Sequence, residues 1–189
     1  MDLYENLKES YKPASEAKQN IAGYQLDNEL SDINHKVYFN KDKDRDNRLL
    51  VTYRGSSNLN DFITDGHLAF GSLRNTKRYN ESADVLRKAK SKYNEDKALI
   101  TGHSLGGSIA KAVAKKDDKI ISYNSGNGLF GANFNTKSNN IKNYRTNGDL
   151  VSIMHNPKTT KTLKNKNLIK NFINSHNLEN IKKSGLTIK

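Results

Sequence analysis

The chain predicts an α/β fold with a mostly parallel central sheet and helices on both faces. Between Leu49 and Tyr123 the apolar segments alternate as strand, helix, strand, helix, strand. That order requires crossover helices packed over a parallel sheet. The strand segments are short runs of β-branched and aromatic residues, whereas the helical ones carry apolar residues three or four apart. At 189 residues the length fits one domain over residues 1–189, with no room for a second.

Taken in order, Lys36–Phe39 and Leu49–Tyr53 read as strands. The charged run Asn40–Asn47 between them is short enough for a hairpin loop. From Tyr79 to Tyr93, Ala83, Leu86, Ala89 and Tyr93 fall at helical spacing, with Val85 beside them and Lys or Arg between, which predicts an amphipathic helix. Lys97–Thr101 is a buried-strand candidate. Gly106–Lys116, with Ile109, Ala110, Ala112, Val113 and Ala114, predicts a helix, and Lys119–Tyr123 a further strand. Ile141–Arg145 is a weaker strand, and beyond it the periodicity is poor.

Composition narrows the class. Mean hydropathy is −0.87 and charged residues make up 28% of the chain, and no stretch approaches the ~18 apolar residues of a membrane span. The first ten residues carry acids and lack an apolar core, so they do not read as a secretory signal. With no cysteine there is no disulfide, thiolate metal site or Cys nucleophile, and a reducing, cytoplasmic setting is expected, with membrane or virion association left open. The net charge is +12, and residues 157–189 carry +7 of it, eight Lys against the single acid Glu179. Such a field attracts polyanions, although Lys- and Asn-biased coding on a solvated face gives the same count.

Between the strand ending at Thr101 and the helix near Gly106 lies Gly102-His103-Ser104-Leu105-Gly106-Gly107, which fits G-x-S-x-G in a strand-turn-helix setting. The turn lifts a serine hydroxyl above the sheet, and a Cβ at position 102 or 106 would collide with the neighbouring chain. The helix start behind it offers unpaired N–H groups and a positive dipole end, so the Leu105 N–H can hold a developing oxyanion.

On these residues the sequence resembles lipase class 3, the fungal-lipase-like group of the α/β-hydrolase fold. Thr101-Gly-His-Ser-Leu-Gly-Gly107 is similar to the family's nucleophile pattern. Val51-Thr-Tyr-Arg-Gly-Ser-Ser57, followed by Asp61-Phe62 and Asp65, is similar to its strand, oxyanion turn and lid segment. Gly23-Tyr-Gln-Leu-Asp27 is also familiar from compact members, and the likeness covers roughly residues 20–180. It implies Ser56 as the second oxyanion-hole residue, through its N–H and hydroxyl, and a lid that uses Leu59, Phe62 and Ile63, with Leu68 and Phe70 in the same cluster.

A serine hydroxyl is a weak nucleophile at neutral pH, so a histidine base and an orienting acid are needed. His103, inside the turn, reads as structural; His35 and His67 precede Ser104. The fold's chain order of Ser, acid, His leaves His155 and His176. His176 opens a short apparent helix near the C-terminus, where the family places its base, whereas His155 follows the preferred acid too soon. That acid is Asp149 in Asn147-Gly-Asp-Leu-Val151, similar to the family's N-x-x-D-x-V segment and 45 residues beyond Ser104. Asp117 and Asp118 read as surface charges, and Asp84 precedes the serine.

The resemblance implies a serine hydrolase of lipid carboxylic esters, acylglycerol or phospholipid, working through an acyl-enzyme without cofactor or metal. The expected partner is a lipid or small ester substrate, with peripheral contact to an anionic membrane, and the expected state is a monomer. A nucleic-acid- or membrane-binding module on a non-catalytic hydrolase fold is the alternative. No RRM, KH, zinc-finger or helix-turn-helix signature supports nucleic acid, so none is expected as a partner.

Overall fold

Strands β3 (His35–Phe39) and β4 (Leu49–Tyr53) form the expected hairpin around the charged loop, with Val37 opposite Val51. The computed structural model describes residues 1–56, 73–74, 76–126, 138–149, 152, 158–163, 176–182 and 184–188. Among them, β1 (Asn20–Ile21) and β2 (Tyr24–Leu26) extend the hairpin antiparallel on one side. On the other side β5 (Leu99–His103), β6 (Lys119–Tyr123), β7 (Asn140–Thr146) and β8 (Thr160–Leu163) add in parallel. The order in the sheet is the order in the chain. Among the described residues no helix is long and apolar enough to cross a membrane.

Both faces of the sheet are covered, because alternate residues of each strand point to opposite sides. Leu49, Val51, Tyr53, Ile100 and Ile120 face α2 (Lys77–Tyr93) and α3 (Leu105–Val113). Helix α2 buries Val85, Leu86 and Ala89, is capped by the Thr76 hydroxyl accepting from the Tyr79 N–H at 3.1 Å, and ends at Asn94 in the left-handed region. The Tyr53 hydroxyl ties it to β4 by donating to the Ser82 carbonyl at 2.7 Å. On the other face Leu50, Leu99, Ile121 and Tyr123 meet α1 (Leu3–Glu9) and Ile181 of α4 (Glu179–Lys182).

Several boundaries differ from the sequence reading. Strand β5 runs two residues further, since Gly102 and His103 pair with Ser122 and Tyr123 before the turn begins. Helix α3 ends at Val113, not Lys116, because Ala114 is extended and the Lys115 N–H donates to the Asp118 carboxylate at 2.7 Å. Asp118 is therefore no surface charge: it is buried, accepts from the Ala98 N–H at 2.8 Å and pairs with Lys90 at 2.6 Å. His35 lies within β3 and does not precede it.

Helix α1, which no periodicity announced, is fixed by a buried polar ring. The Asn6 amide donates to the Thr52 hydroxyl at 2.9 Å and accepts from the Thr101 hydroxyl at 2.7 Å, while the two threonine oxygens stand 2.8 Å apart. Each group satisfies another away from water, so deleting one strands the rest. We expect Asn6→Ala to lower the unfolding free energy by about 2 kcal/mol in urea denaturation.

Candidate active site

Ser104 links β5 to α3 with φ 57° and ψ −126°, a conformation that costs about 1–3 kcal/mol for a side-chain-bearing residue. Its neighbours make the turn possible. A Cβ at Gly102 would stand 2.3 Å from the Gly106 carbonyl, and one at Gly106 would stand 2.1 Å from the Tyr53 oxygen. Neither contact is tolerable, so both glycines are required by the close crossing of α3 over β4 and β5. The Ser104 N–H is held by the Tyr123 carbonyl at 3.0 Å, and the Ser104 carbonyl accepts from the Gly107 and Ser108 N–H groups at 3.0 and 3.2 Å. Leu105 opens α3, and its N–H is among those that an α-helix leaves without an internal partner.

Beside the elbow lies the turn after β4. A Cβ at Gly55 would be 2.8 Å from the His103 carbonyl and 3.1 Å from the Ser104 Cβ, so Ser56, half-buried, follows directly on a backbone packed against the serine.

His176 and Asp149 meet across 27 residues, His176 Nδ1 standing 2.8 Å from Asp149 Oδ1. Asp149 sits in the turn after β7, with Gly148 at φ 85° and the Asp149 N–H donating to the Thr146 carbonyl at 3.2 Å. Its second oxygen accepts from the Ser152 N–H at 3.1 Å and from the Ser152 hydroxyl. Ser104, Asp149 and His176 are 2%, 1% and 3% exposed, and Ser104 Oγ has no hydrogen-bond partner among the described residues. The His176 Nε2 is also buried.

His103 explains how His176 reaches this place. Its Nε2 is 2.8 Å from the His176 carbonyl, its ring centroid is 4.8 Å from that of His176, and its Nδ1 is 2.7 Å from the Tyr11 hydroxyl. Burial, and then the nearby His176, push its pKa down to about 3, so it is neutral. The structural role read from the sequence is thus a double hydrogen bond. Tyr11 and Ser152 escaped that reading: Tyr11 contacts His103 across 92 residues with no local signal, whereas Ser152 lies three residues after Asp149, the spacing of a side-chain-capped turn. The expected lid residues Leu59, Phe62 and Ile63, with Leu68 and Phe70, lie outside the described residues, as do His67 and His155. No group of three or more His, Cys, Asp or Glu is placed to hold a metal ion among the described residues.

Residues 2–184 match the model of a phospholipase-like family, the Tle-like phospholipase domain. Among solved structures, the native Rhizomucor miehei lipase propeptide complex is similar over 78% of this chain at 16% identity and a TM-score of 0.52. This chain spans 60% of that one. A fungal lipase–inhibitor complex is similar over 76% of this chain and 68% of its own at 20% identity, with a TM-score of 0.46. No curated protein matches the sequence. The eight-stranded, mostly parallel sheet is that of the lipase α/β-hydrolase fold.

Two outcomes test this geometry. Gly106→Ala is expected to destabilise the protein by about 3 kcal/mol or more in urea, because backbone must move to admit the methyl group. His103 carries the second. An unfolded histidine protonates near 6.5, whereas His103 in the fold resists protonation until about 3. Below pH 6.5 the unfolded chain therefore binds the extra proton, and stability falls as pH drops through that window. The acid limb of the unfolding free energy should be steeper in the wild type than in His103→Gln, by up to about 1.4 kcal/mol per pH unit.

Proposed function

The chain belongs to the Tle-like phospholipase family, and from that premise we propose that it is a serine hydrolase of lipid carboxylic esters, with phospholipid as the favoured class. The observation that carries this reading is the buried His176–Asp149 pair, 2.8 Å between Nδ1 and Oδ1, anchored through His103 beside the strained Ser104 turn. A histidine so held has its Nδ1–H committed to the carboxylate, which leaves Nε2 as the basic nitrogen.

In the proposed reaction His176 Nε2 takes the Ser104 proton as Oγ attacks the ester carbonyl carbon. The carbonyl oxygen becomes an oxyanion, which receives hydrogen bonds from the Leu105 N–H and from Ser56. Collapse breaks the ester bond, and the leaving alkoxide takes the proton from His176. Water then attacks the acyl-Ser104 ester by the same route, releasing the acid and restoring the serine. Asp149 stays ionised, orients the ring and offsets the imidazolium charge. The cysteine-free composition favours a reducing, cytoplasmic setting, and one domain over 1–189 carries every part of the reaction.

The reading extends to the lipid surface. Lys158, Lys161 and Lys182 are exposed in the segment that also delivers His176. Each such Lys near an anionic bilayer contributes about 1 kcal/mol, decaying within a Debye length.

A panel of p-nitrophenyl esters and phospholipid vesicles tests the chemistry. Ser104→Ala is expected to lose about 10⁴-fold or more of kcat, and His176→Ala similarly, with a fluorophosphonate probe labelling Ser104 in the wild type alone. Unchanged turnover in Ser104→Ala would overturn the assignment. Turnover on anionic vesicles should exceed that on zwitterionic ones and fall as salt rises. Equal, salt-insensitive rates would remove the basic surface from the function.

A further inference from the structure

We propose that Tyr11 and His103 are a positioning pair which couples the oxyanion turn to the base, setting both halves of the site by one run of packed and hydrogen-bonded groups. The inference rests on the serine-hydrolase reading above and adds two residues to it.

The directions of the bonds follow from what each atom can do. The His176 carbonyl can only accept, so His103 carries its proton on Nε2 and donates across 2.8 Å. His103 Nδ1 is then a lone pair, and the Tyr11 hydroxyl, 2.7 Å away, is the donor. The same Tyr11 oxygen packs on the backbone of Gly55, the residue before Ser56. At the other end His176 Nδ1–H donates to Asp149, and Ser152 donates to the far carboxylate oxygen. From Tyr11, packed on Gly55, to Asp149 the side chains and backbone form one connected run of contacts.

Packing alone would not need this arrangement. Tyr11 comes just after α1, which the Asn6–Thr52–Thr101 ring fixes to the two strands that lead to Gly55 and to the elbow. Its hydroxyl lies 2.4 Å from where a Gly55 Cβ would stand, so the oxygen closes on the turn itself. Because His103 stays neutral, its Nδ1 remains available to Tyr11 across the working pH range. Loss of the hydroxyl leaves the buried His103 Nδ1 without its donor and removes the oxygen that packs on Gly55. Both the base and the oxyanion donor then lose their setting, while no substrate contact changes.

The test uses full-length wild type, Tyr11→Phe, His103→Gln and the double variant. Three readouts are taken: kcat and KM on a soluble p-nitrophenyl ester normalised to fluorophosphonate-titrated sites, thermal unfolding, and ¹⁵N/¹H NMR of the histidine rings. Tyr11→Phe is expected to lower kcat about tenfold with KM within about twofold, the cost of a small misplacement of the reacting groups. It should also shift the His103 Nδ1 signal and the His176 Nδ1–H proton. The double variant should be no slower than His103→Gln, because the two residues act through one connection. Wild-type kcat in Tyr11→Phe, or a double variant whose loss is the product of the single losses, would overturn the coupling. If instead the wild type hydrolyses no ester and takes no fluorophosphonate, the hydrolase reading fails. The ring signals then decide the coupling alone: it stands if Tyr11→Phe moves the His176 proton and falls if it does not.

Discussion

Where β5 turns into α3, the backbone of Gly106 lies so close to β4 that a methyl group there would stand 2.1 Å from the Tyr53 carbonyl oxygen. That approach sets the rest of the site. It brings the start of α3 down over the sheet, forces Ser104 into a positive φ, and places the turn through Gly55 and Ser56 against the serine from the side. Side chains of any size at 102 or 106 would lift the helix, and the elbow would relax into an ordinary strand-to-helix turn. The strain at Ser104 is held by the Tyr123 carbonyl and by the helix that follows, the over-determined setting in which such a conformation persists.

Around this rigid crossing the polar groups are buried and paired in layers. Asn6, Thr52 and Thr101 fix α1 beneath the elbow; Asp118 fixes the far end of α3 to β5 and α2 through Ala98, Lys115 and Lys90. A chain so polar overall thus spends part of its polarity inside, where each satisfied group specifies one arrangement and an unsatisfied one would be costly. His103 is part of that logic. Kept neutral by burial, it adds no positive charge beside His176, whose ring is 4.8 Å away.

The parallel half of the sheet was legible because β4, β5 and β6 are short apolar runs separated by an amphipathic helix and a small-residue helix, and the elbow because its glycines stand in that context. Position after the nucleophile and likeness to a family segment brought out Asp149 and His176, which the fold places 2.8 Å apart. What escaped was held by distant partners. Helix α1 is too short for a period to show, β8 buries little, and Asp118 looks like any surface acid until the Ala98 N–H reaches it. Tyr11 carries no local sign of its place, since only the closed fold brings it to His103.

The matching of spatial order to chain order has a consequence for how the molecule comes into being. Each strand from β2 to β8 pairs with the one made just before it, so the sheet can grow strand by strand as the chain is synthesised. The segment bearing His176 breaks that rule. It docks on α1, where Tyr4 meets Glu179 and the Leu3 N–H donates to the Leu186 carbonyl at 3.1 Å, across most of the chain's length. A nascent chain that has folded through the turn after β7 therefore holds the strained Ser104 turn and Asp149 but not His176. On the proposed chemistry such a partly made copy is inert, and docking of the segment that bears His176 arms it.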